Sequence, residues 1–140
     1  MPLVFDEENN SSSSSGGSSG GNNFTIIYPN GGSAESPANI DKDMRYEMDN
    51  PFPSDEVDCL AEVLINGVWG ATGWANNALS TGSNTYYGTL ASLYNDKIVV
   101  RTGLSGVIYD SRSTGNPHNI GNGTSYAKLP CRVKVWRINN

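Results

Sequence analysis

The sequence predicts an all-β fold, a small antiparallel β-sandwich or partly closed barrel preceded by a flexible N-terminal tether. Three observations predict it. Asn and Ser, at 17 residues each, and Gly, at 16, supply more than a third of the 140 residues, and these side chains favour turns while competing with helical hydrogen bonding. Short β-branched and aromatic runs recur between Gly, Pro and Asn turn signals, which is the pattern of a sandwich or barrel. A stretch of almost pure Ser and Gly at residues 11–21 separates a leading peptide from everything after it.

The elements follow in chain order. Residues 1–10 begin apolar and turn acidic, with Leu3, Val4 and Phe5 ahead of Asp6, Glu7 and Glu8; the segment is too short to fold alone and is either a disordered terminus or, the favoured reading, a docking peptide that adds a strand to a partner's sheet edge. Residues 11–23 read as a flexible linker, whose eleven-residue Ser/Gly stretch spans roughly 18 Å on average. Residues 24–140 read as one β domain, large enough to build its own core. Its first strand is 24–28, stopped by the turn signal at 29–32. Residues 33–43 are polar and loop-like, 44–48 alternates as a short strand, and the run Asn50-Pro51-Phe52-Pro53 breaks it, with the Phe52-Pro53 bond expected trans, the default.

The clearest pattern lies at 57–74, two strand-like runs joined by Asn66-Gly67, the strongest short hairpin signal because both central residues need positive φ. Further strands are expected at 85–90, 97–102, 107–109 and 131–138, with loops at 94–96 and 114–123. Alternation puts Cys59, Ala61, Val63 and Ile65 on one face of the strand at 57–65, and Cys131, Val133 and Val135 on one face of the last strand. The other faces carry Asp58 and Glu62 on one strand and Arg132 and Lys134 on the other. These two strands are therefore expected in the same sheet, adjacent or one strand apart, with apolar faces inward and charges paired outward.

Net charge is −5, and it is segregated. Residues 1–70 hold twelve acids and two bases, whereas residues 71–140 hold two acids and seven bases. The split reads as internal or subunit pairing rather than a patch for a polyanion, and nucleic acid is not an expected partner. No apolar run has the ~20 residues of a membrane helix, so no membrane insertion is expected, and the start lacks the features of a signal peptide. Cys59 and Cys131 match no metal spacing and no CxxC motif, and read as reduced, buried hydrophobes.

No catalytic residue emerges. His118 has no ligand-spaced neighbour and reads as a surface loop histidine; the acids Asp41, Asp43, Asp49, Asp55, Glu56 and Asp58 lack calcium-loop spacing and read as solvated charge. Neither a metal nor a cofactor is expected. Aromatics near amide-rich turns are better placed for recognition, and Trp74, Asn76, Asn77, Tyr86 and Tyr87 are the surface candidates. Trp69 and Trp74 differ in parity, so at most one of them belongs to the core.

The segments Tyr28-Pro29-Asn30-Gly31-Gly32-Ser33, Asn50-Pro51-Phe52-Pro53, Asn66-Gly67-Val68-Trp69-Gly70, Lys97-Ile98-Val99-Val100-Arg101-Thr102-Gly103 and Pro130-Cys131-Arg132-Val133-Lys134-Val135-Trp136 together resemble a small domain of tail and fibre-associated proteins from tailed bacteriophages of enteric bacteria. The resemblance implies a non-enzymatic virion component, made in the host cytoplasm without a signal peptide and exposed on the particle as a symmetric homo-oligomer. Its expected partners are other virion proteins, reached through Leu3, Val4 and Phe5, and a host surface glycan or outer-membrane protein. A structural decoration protein of capsid or tail, and a depolymerase-like carbohydrate-active domain, stand as alternatives.

Overall fold

Local sequence chooses the turns first. Asn66-Gly67 and Asn95-Asp96 each place two consecutive residues at positive φ, 53° and 78° in the first and 50° and 59° in the second. That is the geometry of the tight turns whose twist matches the strands they join. The computed structural model describes residues 22–78, 84–108, 118 and 126–138, and the regular structure in them is entirely β. The N-terminal docking and linker segments expected before the domain lie outside the described residues, apart from Asn22 and Asn23.

Nine strands are described: β1 (Phe24–Ile27), β2 (Asn39–Asp41), β3 (Arg45–Asp49), β4 (Val57–Ile65), β5 (Val68–Gly70), β6 (Trp74–Ala78), β7 (Asn84–Tyr94), β8 (Lys97–Thr102) and β9 (Lys128–Arg137). They form two antiparallel sheets. One runs β1-β9-β4-β5, with β2 pairing β9 at 128–130, and the other runs β3-β8-β7-β6. β4 packs on β7 across the interface, so of the two expected architectures the sandwich is the one formed.

Several boundaries differ from the expectation, each for a physical reason. The polar stretch at 33–43 contains β2, because β9 extends beyond β1 and offers its free edge to residues 39–41. The expected strand at 68–74 is two strands in different sheets; residues 71–73 turn between them, with Gly73 at φ 68°. The expected strand at 107–109 is reduced to isolated bridges, Ile108 with Tyr126 and Gly106 with Tyr87, and Tyr109 lies outside the described residues. Tyr94, expected in a loop, ends β7. The loop at 114–123 is outside the described set except for His118. Phe52-Pro53 is trans.

The core is what the alternation required, except that Cys59, expected to be buried, is only half-buried at its edge. Ala61, Val63 and Ile65 from β4, Cys131, Val133 and Val135 from β9, and Ile98 and Val100 from β8 are buried together with Ile40, Val107 and Ile108. β4 and β9 are neighbours, with Val63 opposite Cys131 and Cys59 opposite Val135. The two cysteines thus share a face but stand four residues apart along the ladder, roughly 13 Å at strand rise, well beyond disulfide reach. Both are free thiols.

Burial, with a smaller push from Glu62, raises the Cys131 thiol to about 12, and burial with Asp58 raises Cys59 to about 11. An unfolded thiol here ionises near 9.0. Above that pH the unfolded chain has lost protons that the folded chain retains, so stability is expected to fall as pH rises through the range 9 to 12. In native protein at pH 8, iodoacetamide is expected to leave Cys131 unmodified while labelling both cysteines in denaturant. Rapid native labelling of Cys131 would contradict its placement.

The outward charges pair differently from the expected symmetry. Asp58 faces Trp136 in the register and its Oδ1 accepts from the amide of Cys59. Glu62 alone takes both bases, Arg132 Nε at 2.8 Å and Lys134 Nζ at 3.2 Å, and is only 6% exposed. Arg132 also lies over the Trp69 ring at 4.6 Å. Among the described residues, part of the wider charge split pairs within the chain: Lys97 meets Asp49, Arg101 meets Asp43 and Lys128 meets Asp41, each a base of the second half against an acid of the first. Arg137 Nε lies 2.9 Å from Asp55 Oδ2 without hydrogen-bond geometry, an electrostatic contact only.

Candidate functional site

The outer face of the four-stranded sheet gathers most of the surface candidates. Register sets this. Trp74 lies opposite Gly88 and Asn76 opposite Tyr86, and partners directly opposite on antiparallel strands share a face. The same parity brings Leu90 beside Arg101 and Tyr94 beside Lys97. Trp74 is 42% exposed and Leu90 49%, whereas the alternate residues Ile98, Val100 and Thr102 are buried.

Gly88 explains how an indole fits there. Its φ is 138°, and a side-chain carbon at this position would collide with the carbonyl oxygen of Gly73 and come within 3.0 Å of both Cα and ring of Trp74. The absence of a side chain on β7 lets the Trp74 ring lie close over the strand. Beyond β8 the chain continues along β7: Gly103 donates to Gly88 O at 2.9 Å, Ser105 to Tyr86 O at 2.8 Å, and the Ser105 hydroxyl accepts from Tyr86 N at 3.1 Å. This clamps Leu104 beside Tyr86.

The fourth wall is polar. Asp43 sits in a turn at φ 56°, a conformation that Asp tolerates better than most residues. The turn is tied to β8 by Thr102, fully buried, whose hydroxyl donates to Asp41 O at 2.6 Å and accepts from Met44 N at 2.8 Å. Asp43 N donates to Gly103 O at 2.8 Å. Arg101 then donates from Nη2 to Asp43 Oδ1 at 3.0 Å, and from Nη1 to Met44 O at 3.0 Å and Thr102 O at 2.7 Å. Asp43, Trp74, Tyr86, Arg101, Thr102 and Leu104 together line an open depression of about 440 Å³, within the size range of small-molecule sites.

Not every candidate belongs to it. Tyr87 has the opposite parity, pairs with Ala75, and places its ring against Gly106; adjacent residues of one strand cannot share a face, so Tyr87 is removed from the outward set. Asn77 pairs with Thr85, and its side chain lies outside the described residues. Leu3, Val4 and Phe5 also lie outside them. Trp69 is on the outer face of the other sheet, opposite Leu64, so neither Trp69 nor Trp74 is a core residue. Sequence reasoning missed Asp43, Arg101 and Leu104 as site residues; the alternation of Lys97, Val99 and Arg101 was the available signal for one of them.

His118, expected on the surface, is half-buried. Its Nε2 lies 2.7 Å from Ala71 O, and its ring occupies the space a side chain on Gly70 would need. Among the described residues no group of three His, Cys, Asp or Glu is placed to hold a metal ion. Asp49 is held below its ordinary carboxylate value, first by the hydrogen bond from Lys97 and then by the charge of that ammonium. No protein family, curated protein or solved structure matches the chain.

Proposed function

We propose that the chain is a non-enzymatic virion component of a tailed bacteriophage of enteric bacteria, made in the host cytoplasm, that displays its β domain for host-surface recognition. In this reading residues 1–10 attach it to other virion proteins, residues 11–23 set it at a distance, and symmetric copies turn weak contacts into avidity. The phage assignment rests on the sequence resemblance. The observation that carries recognition is the outward cluster of Trp74, Tyr86 and Leu104 around the Arg101–Asp43 pair. An exposed tryptophan and a half-buried tyrosine beside a positioned arginine have the composition of binding hot spots.

The depolymerase alternative asks for two carboxylates about 5 to 10 Å apart beside the sugar site. Among the described residues the depression is lined by one, Asp43, and Arg101 occupies one of its oxygens. This favours binding without turnover. Structural decoration remains the contrasting reading, and host cells separate the two. The full chain is expected to bind enteric host cells, and Trp74→Ala to weaken that binding at least about tenfold, as loss of a hot-spot aromatic does, while Val68→Ser on the other sheet leaves it unchanged. No binding by the assembled wild-type chain would favour decoration instead, and equal binding by Trp74→Ala would move recognition away from this cluster.

A further inference from the structure

We infer that the depression takes a neutral saccharide ring, laid on the exposed indole of Trp74 with its hydroxyls bracketed by Arg101 and Asp43; this rests on the recognition reading above and names its ligand. The polar wall decides the class. Arginine has five N–H donors, and three are engaged, with Met44 O, Thr102 O and Asp43 Oδ1. Five less three leaves two donors. Asp43 uses Oδ1 for Arg101, which leaves Oδ2 as an acceptor. Both side chains are about half exposed, 47% and 52%, so these groups are held in place yet open to a ligand.

A donor and an acceptor side by side fit a hydroxyl, which accepts from one and donates to the other. Neighbouring sugar hydroxyls present several such groups. The Tyr86 hydroxyl, which accepts from Asn84 Nδ2 at 3.2 Å, retains its own proton to donate. The apolar walls suit the remaining surface of a pyranose: its C–H face lies on an aromatic ring, as on Trp74, and Leu104 meets an apolar edge.

An anionic sugar fits less well. Asp43 neutralises Arg101 at 3.0 Å, and its free oxygen would face the ligand carboxylate across a site in a chain of net charge −5. A purely apolar occupant would leave the two arginine donors and the carboxylate oxygen desolvated without partners, which is costly. The fit is therefore to a ligand rich in hydroxyls and without charge.

The test uses the full chain labelled with ¹⁵N, titrated with methyl glycosides of glucose, galactose and mannose, and with the methyl glycosides of glucuronic and galacturonic acid. The Nε1–H signals of Trp69, Trp74 and Trp136 report separately. At least one neutral glycoside is expected to shift the Trp74 signal saturably while Trp69 and Trp136 stay fixed, and the uronic acid forms to bind more weakly. Asp43→Asn and Arg101→Lys, with the other two indole signals as a check on folding, are each expected to reduce affinity about tenfold, the loss of one hydrogen bond to a charged group. Tighter binding of the uronic acids, or no glycoside shifting Trp74, would overturn the neutral-saccharide inference. If cell binding still depended on Trp74 in that case, recognition would stand with a host protein as ligand; if cell binding ignored Trp74, the assignment of recognition to this face would fall.

Discussion

Replacing Glu62 by alanine is expected to lower the unfolding free energy by about 3 kcal/mol, the lower end for removing one partner of a buried ion pair. Glu62 is 6% exposed although it stands on the outer face of its sheet. Arg132 and Lys134 close over it from β9, one on each carboxylate oxygen. Without the carboxylate, two cations are left side by side on neighbouring positions of one strand face, and Arg132 is further confined by Trp69 at 4.6 Å. Their side chains are 19% and 28% exposed, so water relieves part of the penalty, and this places the estimate at the lower end. Arg132→Met, which leaves Lys134 against the carboxylate, is expected to cost clearly less. Urea unfolding measures both. A loss below about 0.5 kcal/mol for Glu62→Ala, the scale of an ordinary surface substitution, would mean that the cluster is hydrated and does not hold β4 to β9.

Gly88→Ala is expected to destabilise the domain by about 3 kcal/mol and to displace Trp74 as well. Two causes add. A φ of 138° is strained for any residue with a side chain, at about 1 to 3 kcal/mol. The added carbon would also strike the Gly73 carbonyl, which is backbone and can yield only if the turn from β5 to β6 moves. Gly67→Ala separates the two effects, because Gly67 has φ 78° with nothing within 4 Å of the added carbon; it is expected to cost about 1 kcal/mol from backbone strain alone. Since Gly88 supports the indole, host-cell binding by Gly88→Ala is expected to fall even at temperatures where the variant is folded. Equal costs at the two glycines would show that the crossing at Gly73 is slack.

Where local chemistry decides, the fold was legible. Asn66-Gly67 marks its hairpin because few other pairs adopt two positive φ angles in succession. That β4 and β9 share a sheet, adjacent or one strand apart, could be read because each strand carries one apolar and one charged face, and the register makes them direct neighbours. Tertiary context decided the rest. β2 is one buried isoleucine, Ile40, between polar Asn39 and Asp41, made into a strand by the free edge of β9, and an alternation three residues long is too short to announce it. The break at 71–73 is a change of sheet, and glycines alone do not distinguish that from a bulge. The burial of Glu62 was hidden because alternation predicts its face and not how far two long basic side chains will cover it.

The site was legible in part. Trp74, Asn76 and Tyr86 were found from composition near turns, and the register then unites them on one face. Composition groups Tyr87 with Tyr86, and strand alternation separates the two. Asp43 and Arg101 are 58 positions apart, and they meet only because Thr102 ties the turn at 41–44 to β8; no local motif encodes that. Leu104 reads as an isolated loop residue until the backbone bonds at Gly103 and Ser105 fix it against β7.

The most direct measurement is hydroxyl-radical footprinting of the full chain, free and bound to host cells. The two outer faces of the sandwich carry comparable side chains, exposed Trp74 and Leu104 with half-buried Tyr86 on one, and exposed Phe24, Leu60 and Trp136 on the other. Protection on binding is expected at Trp74, Tyr86 and Leu104, with Phe24, Leu60 and Trp136 labelled as in the free protein. Protection confined to the Phe24, Leu60 and Trp136 face would contradict the account and move recognition to the opposite side of the molecule.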